Sequence, residues 1–273
     1  MPRFILAIEY AGTRYSGWQI QKNARTVAGE IERAVHAATG AKTFELYGAG
    51  RTDAGVHAMA QVAHLQLDTR TDEATLVATI NDELPSDINI VELVRAPQRF
   101  HARHDAVARS YVYQISRRRT AFGKPFVWWV RDRLDVDAMR RASEHFVGMK
   151  DFQSFAVRDD EDRSTKVQVD GVEIVEREPL VLIRMAGSHF LWRMVRRVVG
   201  VLVEVGRRKL RADDILGILD GPSEVPARLT APPSGLFLER VFYRGDAPAS
   251  PLEPMVFGAS RHTLSPDRGQ RAR

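Results

Sequence analysis

The chain has 273 residues, of which 44% are hydrophobic and 27% charged, enough for one large domain or two modest ones around a buried core. Its 40 Lys and Arg against 35 Asp and Glu leave a formal charge of +5, an excess that favours a nucleic-acid partner only where the cations cluster. The absence of cysteine excludes disulfides, thiolate metal sites and thiol nucleophiles. The most apolar stretch, Val195 to Val205, is broken by Arg196, Arg197 and Glu204 and makes a poor membrane span. The N-terminus carries neither a basic region nor a long apolar core. The expectation is a cytoplasmic protein that does not engage a membrane.

The first element alternates, with Phe4, Leu6, Ile8 and Tyr10 on one face and Ile5, Ala7 and Glu9 on the other, which predicts a strand. Val27, Ile31, Val35 and Ala38 then recur at helical spacing, and Gly40 suits the helix end. After the segment GRTDAGVHA (Gly50 to Ala58) come a strand over Gln61–Leu67, a helix over Asp72–Leu84 stopped by Pro85, and a strand over Ile88–Val94. A comparable series begins again. It has a strand over Arg109–Ile115, a helix over Asp135–Phe146 closed by Gly148, and strands over Lys166–Glu176 and Leu180–Met185. A helix from Ser188 to about Val205 is apolar on most faces and reads as buried. A short helix over Asp213–Leu219 precedes a closing strand, Leu236–Tyr243. The pattern predicts an α+β fold of two mixed halves, residues 1–105 and 106–245, with largely antiparallel sheets. Residues 246–273 are rich in Pro, Ser, Gly and Arg and read as a disordered tail.

The segment GRTDAGVHA concentrates the chemistry. Gly50 and Gly55 free the backbone around Arg51, Thr52 and Asp53, placing a phosphate-binding cation two residues from a carboxylate that can act as nucleophile or base. The same letters also fit a plain Asp-Ala-Gly turn, and His57 fits local packing as well as an acid or ligand role. The segment resembles the signature of the TruA family of tRNA pseudouridine synthases, with Asp53 at the position of its catalytic aspartate. Four further segments match in order. IEYAGTRYSGWQIQ resembles the family's opening strand and loop, and RFHARHDAVARSYVYQI resembles its tyrosine block, at Tyr111. GSHFLWRMVRRVVG resembles the helix carrying the arginine partner of the aspartate, at Arg196. PPSGLFLERVFY resembles the closing strand with a leucine beside the target base, at Leu236. Ala11, Ala28 and Lys166 depart from the family pattern, standing where aspartate, glutamine and arginine are usual.

The resemblance implies the pseudouridine synthase fold, two halves flanking a central basic cleft. It also implies conversion of uridine to pseudouridine at positions 38, 39 and 40 of the tRNA anticodon stem-loop, by a homodimer without cofactor or metal. Such a reaction breaks the bond from uracil N1 to the sugar and rejoins the base through carbon, needing an ionised carboxylate but no redox step. Under this reading Arg196 favours the charged form of Asp53, Tyr111 stacks on the extruded uracil, Leu236 forms the opposite wall and Arg51 contacts the substrate. Taken alone, Tyr111 and Tyr113 fit sheet packing, Leu236 fits the core, and Arg196 fits a polar helix stripe shared with Arg193 and Arg197. Arg14, Arg25, Arg51, Arg103, Arg109 and the run Arg117 to Arg119 are candidate RNA contacts, the run foremost, while Trp18 fits either a loop aromatic or core packing. Two other readings compete: an RNA-binding module without turnover, and a glycosidic-bond hydrolase, which would usually need a second carboxylate.

Overall fold

The computed structural model describes residues 1–157 and 164–255. Among these the chain divides into two units: residues 1–107 with 238–248, and residues 108–237 with 249–255. In the first unit β1 (Arg3–Tyr10) pairs antiparallel with both β3 (His57–Gln66) and β4 (Ile88–Ala96). The short strand β2 (Glu45–Gly48) lies on β3 as well, opposite Gln66 to Ala63. Two helices complete the unit, α1 (Val27–Thr39) and α2 (Glu73–Glu83). Each begins where a side chain captures a free amide: Thr26 Oγ1 accepts from Gly29 N, and Asp72 Oδ1 from Thr75 N. α1 ends where Gly40 turns left-handed at φ 68°, a conformation that glycine enters without penalty. Val27, Ile31, Ala34 and Val35 are buried on one stripe of α1, and Leu76 and Ile80 on α2.

The second unit opens with β5 (Ala106–Ser116), whose first two residues still belong to the first unit; β6 (Trp128–Trp129) pairs with it in parallel. After α3 (Val136–Ser143) come β7 (Gly148–Asp151), β8 (Lys166–Arg177) and β9 (Leu180–Gly187). Hydrogen-bonded neighbours run β5–β9–β8–β7, antiparallel throughout. Then follow α4 (Met194–Gly206), the short α5 (Asp214–Asp220) and α6 (Val225–Arg228), and β10 (Leu236–Tyr243). Residues 238–243 of β10 fall in the first unit beside β3, although the sequence pattern puts the whole strand in the second half.

The fold is mixed α and β with mostly antiparallel pairing, as the strand and helix pattern predicts. Two expectations need correction. The helix expected from Ser188 starts only at Met194, because Arg193 adopts a left-handed conformation (φ 61°) that no helix interior accepts. Part of the expected tail is ordered packing. Leu252 and Met255 are buried, Arg184 donates to Ser250 O at 2.8 Å, and Met255 N donates to Gln114 Oε1 at 2.8 Å. The remainder, residues 256–273, lies outside the described residues. Among the described residues no helix is long and apolar enough to cross a membrane.

Candidate active site

Asp53 sits in the loop between β2 and β3, and that loop is fixed by its neighbours in the first unit. Trp18 N donates to Thr52 O at 3.1 Å, Gly55 N to Tyr15 O at 3.2 Å, and Val56 N to Asp53 O at 3.1 Å. The Thr52 hydroxyl, almost fully buried, shares a 2.8 Å hydrogen bond with the buried Tyr10 hydroxyl. On the upstream side Ala49 N donates to Val62 O, and Gln61 Nε2 donates to Gly50 O at 2.9 Å. Residues on both sides of the carboxylate are therefore held, while Asp53 is partly exposed and Arg51 is exposed. An anchored backbone with an accessible side chain is what a reacting carboxylate requires.

Two glycines make this packing possible. A Cβ on Gly12 would lie 1.9 Å from Val56 O, and one on Gly17, at φ +93°, would lie 2.5 Å from Thr52 O. Only a bare backbone can pass this close to the Asp53 loop. His57 accepts a hydrogen bond at Nδ1 from Gly12 N at 3.0 Å and is 1% exposed. Of its two readings the structure supports local packing: the ring pins the first loop of the chain against the start of β3. Trp18 is likewise core-packed, with its indole over Gly48 and its centroid 6.2 Å from that of Tyr10.

The other three candidates belong to the second unit. Tyr111 lies opposite Met185 in the β5–β9 pairing, half-buried, its ring edge-on to Phe190 at 5.2 Å. Tyr113, two residues on, is fully buried and donates to Pro232 O at 2.7 Å; burial pushes its hydroxyl pKa far up, and the Arg196 guanidinium only partly offsets this. Arg196 is half-buried on the first turn of α4. Its Nε donates to Ala231 O at 2.7 Å, and its own carbonyl accepts from Ala231 N at 3.1 Å. Arg197 turns elsewhere and donates to Ser154 O and Ala156 O, so the two adjacent arginines do different work. Leu236 is 5% exposed at the start of β10. Sequence reading missed the strap on Arg196, because nothing in the letters Ala231-Pro232 announces a carbonyl aimed at a guanidinium.

Among the candidate RNA contacts, Arg25 is paired with Glu30 at 2.6 Å and Arg109 donates to Ser188 O at 3.0 Å. Arg117, expected to lead a run of free cations, is bound by Glu176 and Glu178. Its neighbours Arg118 and Arg119 are exposed, as are Arg14, Arg51 and Arg103. Among the described residues no group of three or more His, Asp and Glu could hold a metal ion.

Comparison with known proteins bears on this arrangement. The family model described as tRNA pseudouridine synthase matches residues 6–105 and 142–244, which together are well over half the chain. The chain belongs to the tRNA pseudouridine synthase family. Asp53, Arg196 and Leu236 fall inside the matched stretches, and Tyr111 falls between them. Among curated members, tRNA pseudouridine synthase A of Geobacter sp. (strain M21) is 39% identical over 241 residues, covering 87% of this chain and 97% of that protein. tRNA pseudouridine synthase A of Caldicellulosiruptor bescii is 37% identical over 245 residues, covering 89% of this chain and all of its relative. tRNA pseudouridine synthase A 2 of Bacillus anthracis is 37% identical, covering 88% and 99%. The likeness to these family members is thus nearly full length.

Proposed function

We propose that this chain isomerises uridine to pseudouridine in the anticodon stem-loop of tRNA, at positions 38, 39 and 40, with Asp53 as its catalytic carboxylate. Membership of the family carries the coarse statement, an isomerase acting on tRNA uridine. The arm, the positions and the residue roles are our assignment. The observation that supports Asp53 most directly is its loop, whose backbone is hydrogen-bonded on both sides while the carboxylate stays partly exposed.

The reaction is balanced within one nucleotide. The bond from sugar C1′ to N1 breaks, the uracil turns, a bond from C1′ to C5 forms, C5 loses a proton and N1 gains one. No electrons or groups enter, so the protein has to supply a nucleophile or base, a surface for the extruded base and a proton path. Asp53 serves the first need, either by attack or by assisting departure of the base. We assign Tyr111 to give the uracil an aromatic face, which offsets the stacking lost on extrusion, and its hydroxyl to help take the C5 proton. Leu236 supplies an apolar wall, while Arg196 and Arg51 bind the anionic substrate. We assign the working enzyme as a cytoplasmic homodimer, which light scattering of the purified chain tests.

Incubation of unmodified tRNA with the protein, followed by carbodiimide treatment and primer extension, tests the main reading. Wild type should create stops in the anticodon arm, whereas Asp53→Ala should bind tRNA but create none. Stops produced by the variant would sink the assignment of Asp53. Wild-type binding without stops would leave an RNA-binding module, and release of free uracil would indicate a hydrolase.

A further inference from the structure

A pocket in the first unit adjoins the Asp53 loop without containing Asp53. Trp18, Ala28, Glu32, Leu46, Gly48 and Arg51 line it, and Tyr47 and Arg103 contribute as well. Its apolar side is rigid, because Trp18 is seated over Gly48 so closely that a Cβ there would come 2.6 Å from the indole. Glu32, on α1, is half-buried, and no hydrogen-bond donor or cation pairs with its carboxylate among the described residues. Burial alone raises its pKa, so neither pocket arginine lies close enough to neutralise it. The partly buried carboxylate thus has acceptor capacity that no protein group uses. A ligand that donates hydrogen bonds would fill that capacity.

Ala28 lines the same pocket one helical turn before Glu32 on α1, so a longer side chain there would project toward the same space. The pocket therefore combines an unpaired acceptor, an aromatic and apolar wall, and arginines elsewhere in the lining.

We propose that this pocket is a subsite for an unpaired guanosine of the RNA substrate, with Glu32 reading the guanine edge and Arg51 and Arg103 holding its phosphate. Only guanine presents two adjacent donors, N1–H and the N2 amino group, to match the two oxygens of a carboxylate. Adenine and cytosine set one amino donor beside a ring-nitrogen acceptor, and uracil flanks its single N–H with two carbonyls, so each of these turns a lone pair toward Glu32. Recognition of splayed bases on their Watson–Crick edges, against aromatic walls, is the usual way a protein reads single-stranded RNA. The subsite deepens the tRNA-modifying reading above and rests on it.

The test uses the full-length protein, labelled with nitrogen-15 and titrated with guanosine, inosine, adenosine and uridine 5′-monophosphates while amide resonances are followed. Guanosine monophosphate should shift the amides of Glu32, Gly48 and Gly50 and bind roughly tenfold or more tighter than adenosine monophosphate, the discrimination of about one bidentate pair. Inosine monophosphate, which lacks the amino group, should fall between them. Glu32→Gln should abolish the preference, and Ala28→Gln should block all four nucleotides with the remaining spectrum unchanged. Equal binding of guanosine and adenosine monophosphates, or shifts confined to residues outside the pocket, would overturn the subsite. Asp53-dependent pseudouridine formation without guanosine selectivity would remove the subsite alone. Selectivity without conversion would remove the catalytic reading instead.

Discussion

Asp53 depends on residues whose contacts lie within the protein itself. Gly12 and Gly17 allow two backbones to approach within van der Waals contact, Thr52 is fixed through Tyr10, and His57 closes the loop from the β3 side. The carboxylate could be found by its motif, but this scaffold could not. Hydrogen bonds from backbone to backbone leave no trace in residue identity beyond the glycines that permit them. Tyr111 gives the sharpest test at this scale. If its ring stacks on the base, Tyr111→Phe should keep substrate binding, whereas Tyr111→Ala should lose about 1–3 kcal/mol of it, a drop of roughly 5- to 150-fold. Measured kcat and KM on tRNA separate the two effects: a hydroxyl role in proton removal lowers kcat in the Phe variant and leaves KM alone. A Phe variant as impaired in binding as the Ala variant would rule out stacking as the role of the ring.

Among the elements, long periodic ones were legible and short or irregular ones were not. The α1 stripe of Val27, Ile31 and Val35 and the alternation in β1 state their period plainly, and Thr26 and Gly40 mark the helix ends. The strand β2, with the letters ELYG, is four residues long and half exposed, too short for alternation to show. The late start of α4 is hidden in the sequence because Phe190, Leu191 and Trp192, just before it, are as apolar as a helix would be. What stops the helix is a backbone conformation at Arg193. The segment 249–255 carries only two large apolar residues, Leu252 and Met255, too few to show a period, yet both are buried. Leu252→Ala should therefore destabilise the protein by about 2–5 kcal/mol, the cost of a cavity in a packed interior. Chemical denaturation should reveal this as a lower midpoint at unchanged slope. A variant that melts like wild type would mean the segment is only draped.

For the whole molecule, acid stability follows from opposing carboxylates. Glu30 and Glu176 have lowered pKa values because Arg25 and Arg117 donate to them, and Asp72 and Asp135 because helix amides do. Their stabilisation is present above the unfolded values and disappears as pH falls through the folded ones, below about 4. Glu32 has the opposite sign, since its raised pKa makes ionisation in the folded state unfavourable. Urea midpoints between pH 3 and 7 should therefore fall at the acid end. Glu32→Gln should raise the midpoint at pH 7, with the gain vanishing near pH 3, where the carboxyl of the parent is protonated. A variant with the parent's midpoint at pH 7 would contradict a partly buried Glu32 without a partner.

The division of the chain also has a consequence in time. The first unit is made from residues 1–107 and completed by residues 238–248, with roughly 130 residues of the second unit between them. A ribosome adding about 5–20 residues per second spends on the order of ten seconds on that interval. Throughout it, β3 lacks the β10 neighbour that it has in the finished fold. The unit that begins first therefore waits through that whole interval, and an open strand edge stays in the nascent chain until its partner is made. Residues 1–107 produced alone should lack cooperative unfolding and fast-exchange protection on β3, and a β10 peptide supplied in trans should restore both. A fragment that folded cooperatively by itself would show that the returning strand adds nothing the early half needs. The Asp53-bearing unit is thus completed only by a strand made after the helices and sheet of the second unit.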